Sequence, residues 1–435
     1  MAERAAGGRG RGAAGGPVFW ALGVAAAGLA VAPWVWHEAD VHWYWKRWSE
    51  ATAGWRPWGA YARRCNYPPF LPLLLAALEA VRRGLGLSFA SRVWVLLVKI
   101  PSILAHAAGV ALCWRGLRRV WGERWARRAA IAYALCAALF VNAAVWGQWE
   151  ALLSLGLVAA LVAAINRRAI AAGIAAGWAV SLKLQAGAAA PTLLVYARRR
   201  GGLGAAAAAV ASAAVTLAVV ALPYVTTGNG RRVLDAYIGA MDAYPRRTQS
   251  AYNFWYLLVQ WEHRFRGVGS AVVNDDWRPW ICNVTSKQVG LEALGWYWLA
   301  LMVALWRRPS RYALVLTTGM SCFGFFMLAT QIHERYLAPA AAVLAMAAPR
   351  SRRTLWLYAG VCATATVNQL LELWLQNAGG TVQGAPLRAA ELLAIGVAAI
   401  NAALFVWGNV LVWREARRRP RPRAVRARAL GGSAS

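Results

Sequence analysis

Residues 203–225 read LGAAAAAVASAAVTLAVVALPYV, with no Asp, Glu, Lys, Arg or His in the whole stretch. About 20 apolar residues in an α-helix cross the hydrocarbon of a bilayer, so this segment reads as a membrane span. Arg198, Arg199 and Arg200 precede it at one end, as expected of a helix entering from a charged surface. Working outward, comparable segments fall at 17–36, 93–114, 129–146, 150–166, 169–185, 186–197, 289–306, 311–329, 336–348, 354–374 and 389–413. The fold class is therefore all-α, a polytopic helical protein of about 12 spans. The pair flanking Leu184 is expected to be two antiparallel helices rather than one long one.

Composition agrees. Of 435 residues 60% are apolar and only 15% charged, and mean hydropathy is +0.40; soluble domains run nearer 45–50% and about 25%. The formal charge of +31 arises from 48 basic and 17 acidic residues. Basicity alone would suit nucleic acid, but the load of Ala, Leu, Val and Trp excludes that class. Six scattered cysteines with no CxxC pair exclude a disulfide scaffold.

Arginines near helix ends set the orientation. With Arg4, Arg9 and Arg11 inside, 12 crossings place Arg115–Arg128, Arg167–Arg168, Arg198–Arg200, Arg307–Arg311, Arg350–Arg353 and Arg414–Arg428 on the same side. The chain then divides into a basic cytoplasmic tail (1–16), a membrane domain (17–413) and an Arg/Pro-rich disordered cytoplasmic tail (414–435). The long run after the N-terminal charges, with no clear cleavage site, marks an uncleaved first helix rather than a signal peptide. Two long loops, 37–92 and 226–288, fall outside. Within the first, 70–81 is apolar but too short to span and reads as an interfacial helix.

Polar residues beside the outer helix ends are the candidates for chemistry, because a charge at the edge of hydrocarbon is costly unless used. Asp40 follows the first helix closely, with Glu38 as an alternative carboxylate. Lys183 and Gln185 stand in SLKLQ after a run of small residues; snorkelling to the surface is the plain alternative for the lysine. Gln331-Ile-His-Glu-Arg-Tyr336 packs His333, Glu334 and Arg335 together, and Arg335 offers a bidentate fork to phosphate. HERY lacks the second histidine of HExxH, so no metal ligand set is expected. Asn66-Tyr67-Pro-Pro sets a rigid extended turn; Trp146-Gly-Gln148-Trp-Glu150, Tyr244-Pro and Asn253-Phe-Trp255 punctuate other outer junctions. Asn283-Val-Thr285 matches a glycosylation sequon.

Taken in order, Asp40, Asn66-Tyr67-Pro-Pro, Lys99-Ile-Pro-Ser, Trp146-Gly-Gln148, Lys183-x-Gln185, Tyr244-Pro, Asn253-Phe-Trp255 and His333-Glu334-Arg335-Tyr336 resemble the motifs of the C-type (GT-C) membrane glycosyltransferases. The likeness, to prokaryotic relatives of the GPI mannosyltransferases and of the dolichyl-phosphate-sugar-dependent enzymes, covers about residues 18–375. Lys-Leu-Gln stands where Lys-Pro-Gln is commoner, and Trp-Glu where an aliphatic residue and Asp are usual.

The resemblance implies a hexosyltransferase, a mannosyl- or glucosyltransferase, that inverts the anomeric centre at the extracytoplasmic face of a plasma membrane (of the endoplasmic reticulum in a eukaryote). The donor would be a polyprenyl- or dolichyl-phosphate-linked sugar. The acceptor would be a lipid-linked glycan, glycolipid or polysaccharide, with membrane lipids as the remaining partners and no nucleic acid. No cofactor is required, and a divalent cation is the one inorganic helper left open. Asp40 matches the catalytic carboxylate, and Lys183, His333 and Arg335 the donor-phosphate positions. Glu38, Asn66, Tyr67, Lys99, Trp146, Gln148, Glu150, Gln185, Tyr244, Asn253, Trp255, Glu334 and Tyr336 would line the substrate, with Glu334 turned away from the phosphate. The rival class is a secondary transporter or lipid flippase using Lys183 and His333/Glu334 as a relay. Against it, the two halves show no internal repeat.

Overall fold

The computed structural model describes residues 15–240, 242, 244–267 and 269–418. Most of the two basic tails, including Arg4, Arg9, Arg11 and everything beyond Arg418, lies outside the described residues. The chain is helical almost throughout: α1 (Gly15–Val31), α2 (Phe70–Gly84), α3 (Arg92–Trp121), α4 (Glu123–Ala134), α5 (Glu150–Ile165), α6 (Ala169–Leu182) and α7 (Ala190–Thr226) form the first part. There follow α8 (Gly230–Gly239), α9 (Phe254–Arg266), α10 (Ser286–Arg307), α11 (Arg311–Leu328), α12 (Ala338–Ala347), α13 (Arg352–Asn377) and α14 (Ala385–Arg417). Four very short strands, β1 (Thr248–Gln249), β2 (Pro279–Ile281), β3 (Val284–Thr285) and β4 (Ile332–His333), complete it.

Each apolar segment read from the sequence falls on helix. Five helical segments among the described residues are long and apolar enough to cross a membrane, six if the pair bent by 44° at Leu135–Cys136 counts as one span; α1, α5 and α6 are shorter apolar helices. The first span ends at Val31 rather than 36. Pro33 lacks the N–H a helix would need there, and Trp34–Trp36 leave the axis. The segment 336–348 becomes α12, ten residues that are all buried. A helix apolar on every side can lie inside a bundle rather than against lipid, and this one packs between α4, α5, α11 and α13.

At Leu184 the chain does reverse. Lys183 is extended, residues Leu184–Ala189 form a 3-10 turn, and α7 then descends to Gly202, whose φ of 82° breaks it. Beyond the break it runs alongside α6 at very short range. A Cβ on Gly173 would sit 2.1 Å from the Ala209 carbonyl oxygen, and one on Gly177 2.6 Å from that of Ala213. This GxxxG spacing lets the two backbones touch.

The outer loops are structured. The interfacial segment is α2, whose Glu79 is buried and paired with Arg82 and Arg83. In the second loop β1 pairs in parallel with β4, Gln249 beside His333. Asp276 accepts hydrogen bonds from Thr330 and Gln331, both at 2.9 Å. The sequon residue Asn283 lies at the β2–β3 turn with φ of 65°, and Thr285 caps α10 in a capping box with Gln288.

Candidate active site

The start of the first loop is wound as a π-helical turn, Ala39–Trp45, that carries Asp40 inward. Asp40 is buried, and its Oδ2 accepts the indole N–H of Trp146 at 2.6 Å and faces His37 Nδ1 at 3.1 Å. Trp146 is aimed by a second π-helical turn, Val141–Trp146, closed by Gly147 at φ 98°. A side chain at Gly147 would be strained, and its Cβ would lie 2.9 Å from Val41. That is the physical reason for glycine in Trp-Gly-Gln. Gln148 then turns back to Asp40 and to the Tyr67 hydroxyl, 3.4 Å away.

His37 stacks on Trp146 with ring centroids 4.8 Å apart, and its Nε2 donates to Gln376 Oε1 at 2.7 Å. One ring nitrogen thus meets an amide oxygen, and the other meets the Asp40 carboxylate and, at 3.2 Å, the Asp40 backbone N–H. Burial works against a charge on the ring, but the Asp40 hydrogen bond and field raise the His37 pKa above its ordinary value. Burial likewise opposes ionisation of Asp40. The hydrogen bond from His37 and the charges of Arg335 and His37 outweigh it and hold the carboxyl well below the usual range.

Beside this pair lies a cavity of about 440 Å³. Its polar wall includes Asn66, Tyr67, Lys183, Gln185, Tyr244, Lys287, Gln331, His333, Arg335 and Tyr336, and its apolar wall includes Leu184, Leu291, Leu294, Trp298 and Phe325. Lys183, at the break after α6, pairs with Glu150, the first residue of α5. Arg335 approaches the same carboxylate at 3.6 Å. Lys183 also stands over the rings of Tyr67 and Tyr336, 5.2 and 5.5 Å from their centroids. Gln185 is buried there with neither its amide nitrogen nor its oxygen hydrogen-bonded. A second, more open cavity of about 520 Å³ is walled by Tyr44, Trp48, Tyr61, Arg64, Arg232 and Asp235; Asn66 and Tyr244 belong to both.

Lys183 and Arg335 meet on the protein's own Glu150. One expectation needs correction. Glu334 does not turn away: it pairs with Arg335 and lies 3.6 Å from His333. Two buried cations exceed what one carboxylate neutralises, so a second is held close. Burial would raise the Glu334 pKa, but the Arg335 charge and the His333 hydrogen bond bring it to about 2. His333 is lowered by burial and by the Arg335 charge, so it enters as a neutral hydrogen-bonding ring, edge-on to Tyr244. Glu38 is exposed and engaged with Trp36 and His42.

Three more residues are structural. Lys99 is fully buried in α3, donating to the carbonyls of Ala32, Val35, Ala144 and Val145. Asn253 caps α9 and donates to the Phe326 carbonyl. Trp255 donates to the Leu328 carbonyl at 2.7 Å. Asp40 itself stands one layer behind the cavity wall. The sequence reading missed His37 and Gln376. The histidine was visible three residues before Asp40, whereas nothing local marks a partner 339 positions away.

No family model and no curated protein matches the chain. Among solved structures, ArnT from Cupriavidus metallidurans bound to undecaprenyl phosphate superposes with a TM-score of 0.50 at 16% identity, over 93% of this chain and 78% of that one. The apo state of the same protein gives 0.49 and 17%, with the same coverage. At such identity the likeness is one of fold: the chain is built on the multi-helical membrane architecture of ArnT, in keeping with the GT-C resemblance of its motifs.

Proposed function

We propose that the protein is an inverting membrane glycosyltransferase that takes a hexose, mannose or glucose, from a polyprenyl-phosphate donor to a lipid-linked or glycolipid acceptor. The observation that carries this reading is the cavity at the helix ends that Lys183 and Arg335 line, with Asp40 one layer behind its wall and close enough to feel the Arg335 charge. A relay for transport would sit in mid-helix. Lys183 lies instead at a helix break, Glu150 at a helix start and Arg335 in a connecting loop.

In the proposed reaction the acceptor hydroxyl loses its proton to Asp40 and its oxygen bonds to the anomeric carbon. The bond from that carbon to the phosphate oxygen breaks on the opposite face, and the lipid phosphate leaves as an anion. Such a leaving group needs charge neutralisation more than a general acid. Lys183 and Arg335 supply it by exchanging Glu150 for the phosphate. The same exchange prepares the base. At rest the Arg335 charge depresses Asp40, and a phosphate beside Arg335 cancels that field, so donor binding makes Asp40 a better proton acceptor. The amide of Gln185 is free to bind the donor. The reading uses no cofactor, and turnover that persists in EDTA is its corollary.

The test is to incubate the purified full-length protein with a panel of synthetic polyprenyl-phosphate hexoses and a glycolipid acceptor. Transfer from at least one donor, lost in Asp40→Asn, is the expected result; no transfer from any, with tight binding of unmodified solute instead, would return the transport reading.

A further inference from the structure

At the far ends of the same helices lies a cavity of about 1100 Å³. The 26 residues of α13 run from Arg352 at this cavity to Gln376 and Asn377 beside His37 and Glu38, a rise of about 39 Å. The cavity therefore belongs to the opposite side of the molecule from the candidate active site. Eight arginines and a single carboxylate, Glu415, line it. Glu415 is consumed by Arg308 and Arg418, and Arg350 stacks over Trp121 and Trp125. Arg200, Arg311, Arg352, Arg353 and Arg414 have no carboxylate partner among the described residues, and outside these the sequence holds one acidic residue, Glu3, against many arginines.

Arginine at the inner ends of membrane helices is ordinary. Its convergence from α7, α11, α13 and α14 into one concavity is not, because like charges sharing a cavity repel one another. Two helix starts add to the positive potential: Ser310 caps α11 and Ser351 caps α13, both at this wall. An anion with more than one charge is what such a wall lacks. The neighbouring surface says what kind. Ser351 and Arg352 also open a groove of about 810 Å³ that is mostly apolar and follows α13 through Leu355, Ala359, Ala363 and Val367 against α4. Those positions repeat at helical spacing on one face, so the groove runs from the arginines into the hydrocarbon depth.

We propose that this cavity binds an acidic phospholipid carrying more than one phosphate, its headgroup among Arg311, Arg352, Arg353 and Arg414 and an acyl chain along α13. Basic pockets between membrane helices recognise such headgroups. The proposal is independent of the catalytic reading, since no residue of the candidate site takes part.

The full-length protein is placed in phosphatidylcholine micelles doped with fluorescent diphosphatidylglycerol, and lipid retention is measured against excess phosphatidylcholine. Saturable retention of the doped lipid is expected, weakened about tenfold in the Arg352→Gln/Arg353→Gln pair. Ala363→Phe, which fills the groove but spares every arginine, should weaken it as well. Inorganic pyrophosphate should compete poorly. Equal competition by pyrophosphate, with Ala363→Phe binding normally, would overturn the proposal in favour of a soluble anion. Retention no better than that of phosphatidylcholine would overturn it outright and leave the cavity to a soluble acidic partner. Because Ala363 is exposed, loss of folding in the arginine pair alone would still leave the groove variant to decide.

Discussion

Asp40 and His37 form a pair whose charges depend on each other, and the pH dependence follows from the two directions. A depressed carboxyl contributes stability that is present above its unfolded value, about 3.9, and is lost as pH falls through the lower folded value. A raised imidazole contributes stability that is complete below its unfolded value, about 6.5, and is lost as pH rises through the higher folded one. The difference in melting temperature between wild type and Asp40→Asn should therefore be widest between about pH 4 and 6.5 and narrow on both sides. A gap that grows steadily up to pH 9 would show that His37 is neutral throughout. Gln185 makes the opposite kind of prediction. Its buried amide has no partner, so it costs stability that only a ligand returns. Gln185→Leu should leave the melting temperature unchanged or raise it, while weakening donor use about tenfold through KM. A destabilised variant with normal KM would reduce Gln185 to a packing residue. The pairing of Lys183 and Arg335 on Glu150 was not legible beforehand, because a charge count shows which residues share a depth but not which of them touch.

The elements were legible where periodicity or composition alone decides and illegible where a few backbone groups do. The apolar lengths located every long helix, since a single segment satisfies its own backbone within hydrocarbon by coiling as a helix. The π-helical turns that aim Asp40 and Trp146 leave no such trace; each depends on the fit of one neighbour, Gly147 above all. Lys99 shows the same limit. In sequence it is a charge opening a span and reads as functional, yet it donates to four carbonyls and ties the end of α1 to the turn that holds Trp146. Lys99→Met should accordingly lower both stability and turnover together, the first by about 3 kcal/mol or more. A turnover loss with unchanged melting would mean that Lys99 touches substrate after all. The α6–α7 contact offers a cleaner test of packing. Gly177→Val would drive a side chain into the Ala213 backbone, which cannot rotate away as a side chain could, so about 3 kcal/mol is the expected loss. Gly187→Ala, where an added Cβ meets nothing, is the control and should melt as wild type.

At the scale of the molecule, one asymmetry organises everything: carboxylates, amides and a few chosen cations gather at one set of helix ends, and unpaired arginines at the other. The hydrophobic spans set the distance between the two, and the positive-inside rule says which set faces the cytoplasm. On that rule the loops 37–92 and 226–288 are expected outside, and with them the candidate active site, where a lipid-linked donor would arrive through the bilayer. Two exposed positions in those loops can report it. Cys282 is a native free thiol at the β2–β3 turn, and Arg56 is exposed in the first loop. Arg119, exposed near the end of α3, should face the other way. A membrane-impermeant maleimide added to intact cells should therefore label wild type at Cys282. In a Cys282→Ser background it should label Arg56→Cys and spare Arg119→Cys, which becomes reactive only after the cells are opened. Labelling of Arg119→Cys alone would invert the whole molecule. It would also put the candidate site on the same side as soluble nucleotide sugars, removing the reason for a lipid-linked donor. Labelling of both would instead mean that α2 crosses the membrane, since one extra span between residues 56 and 119 is the simplest way to bring them to the same face.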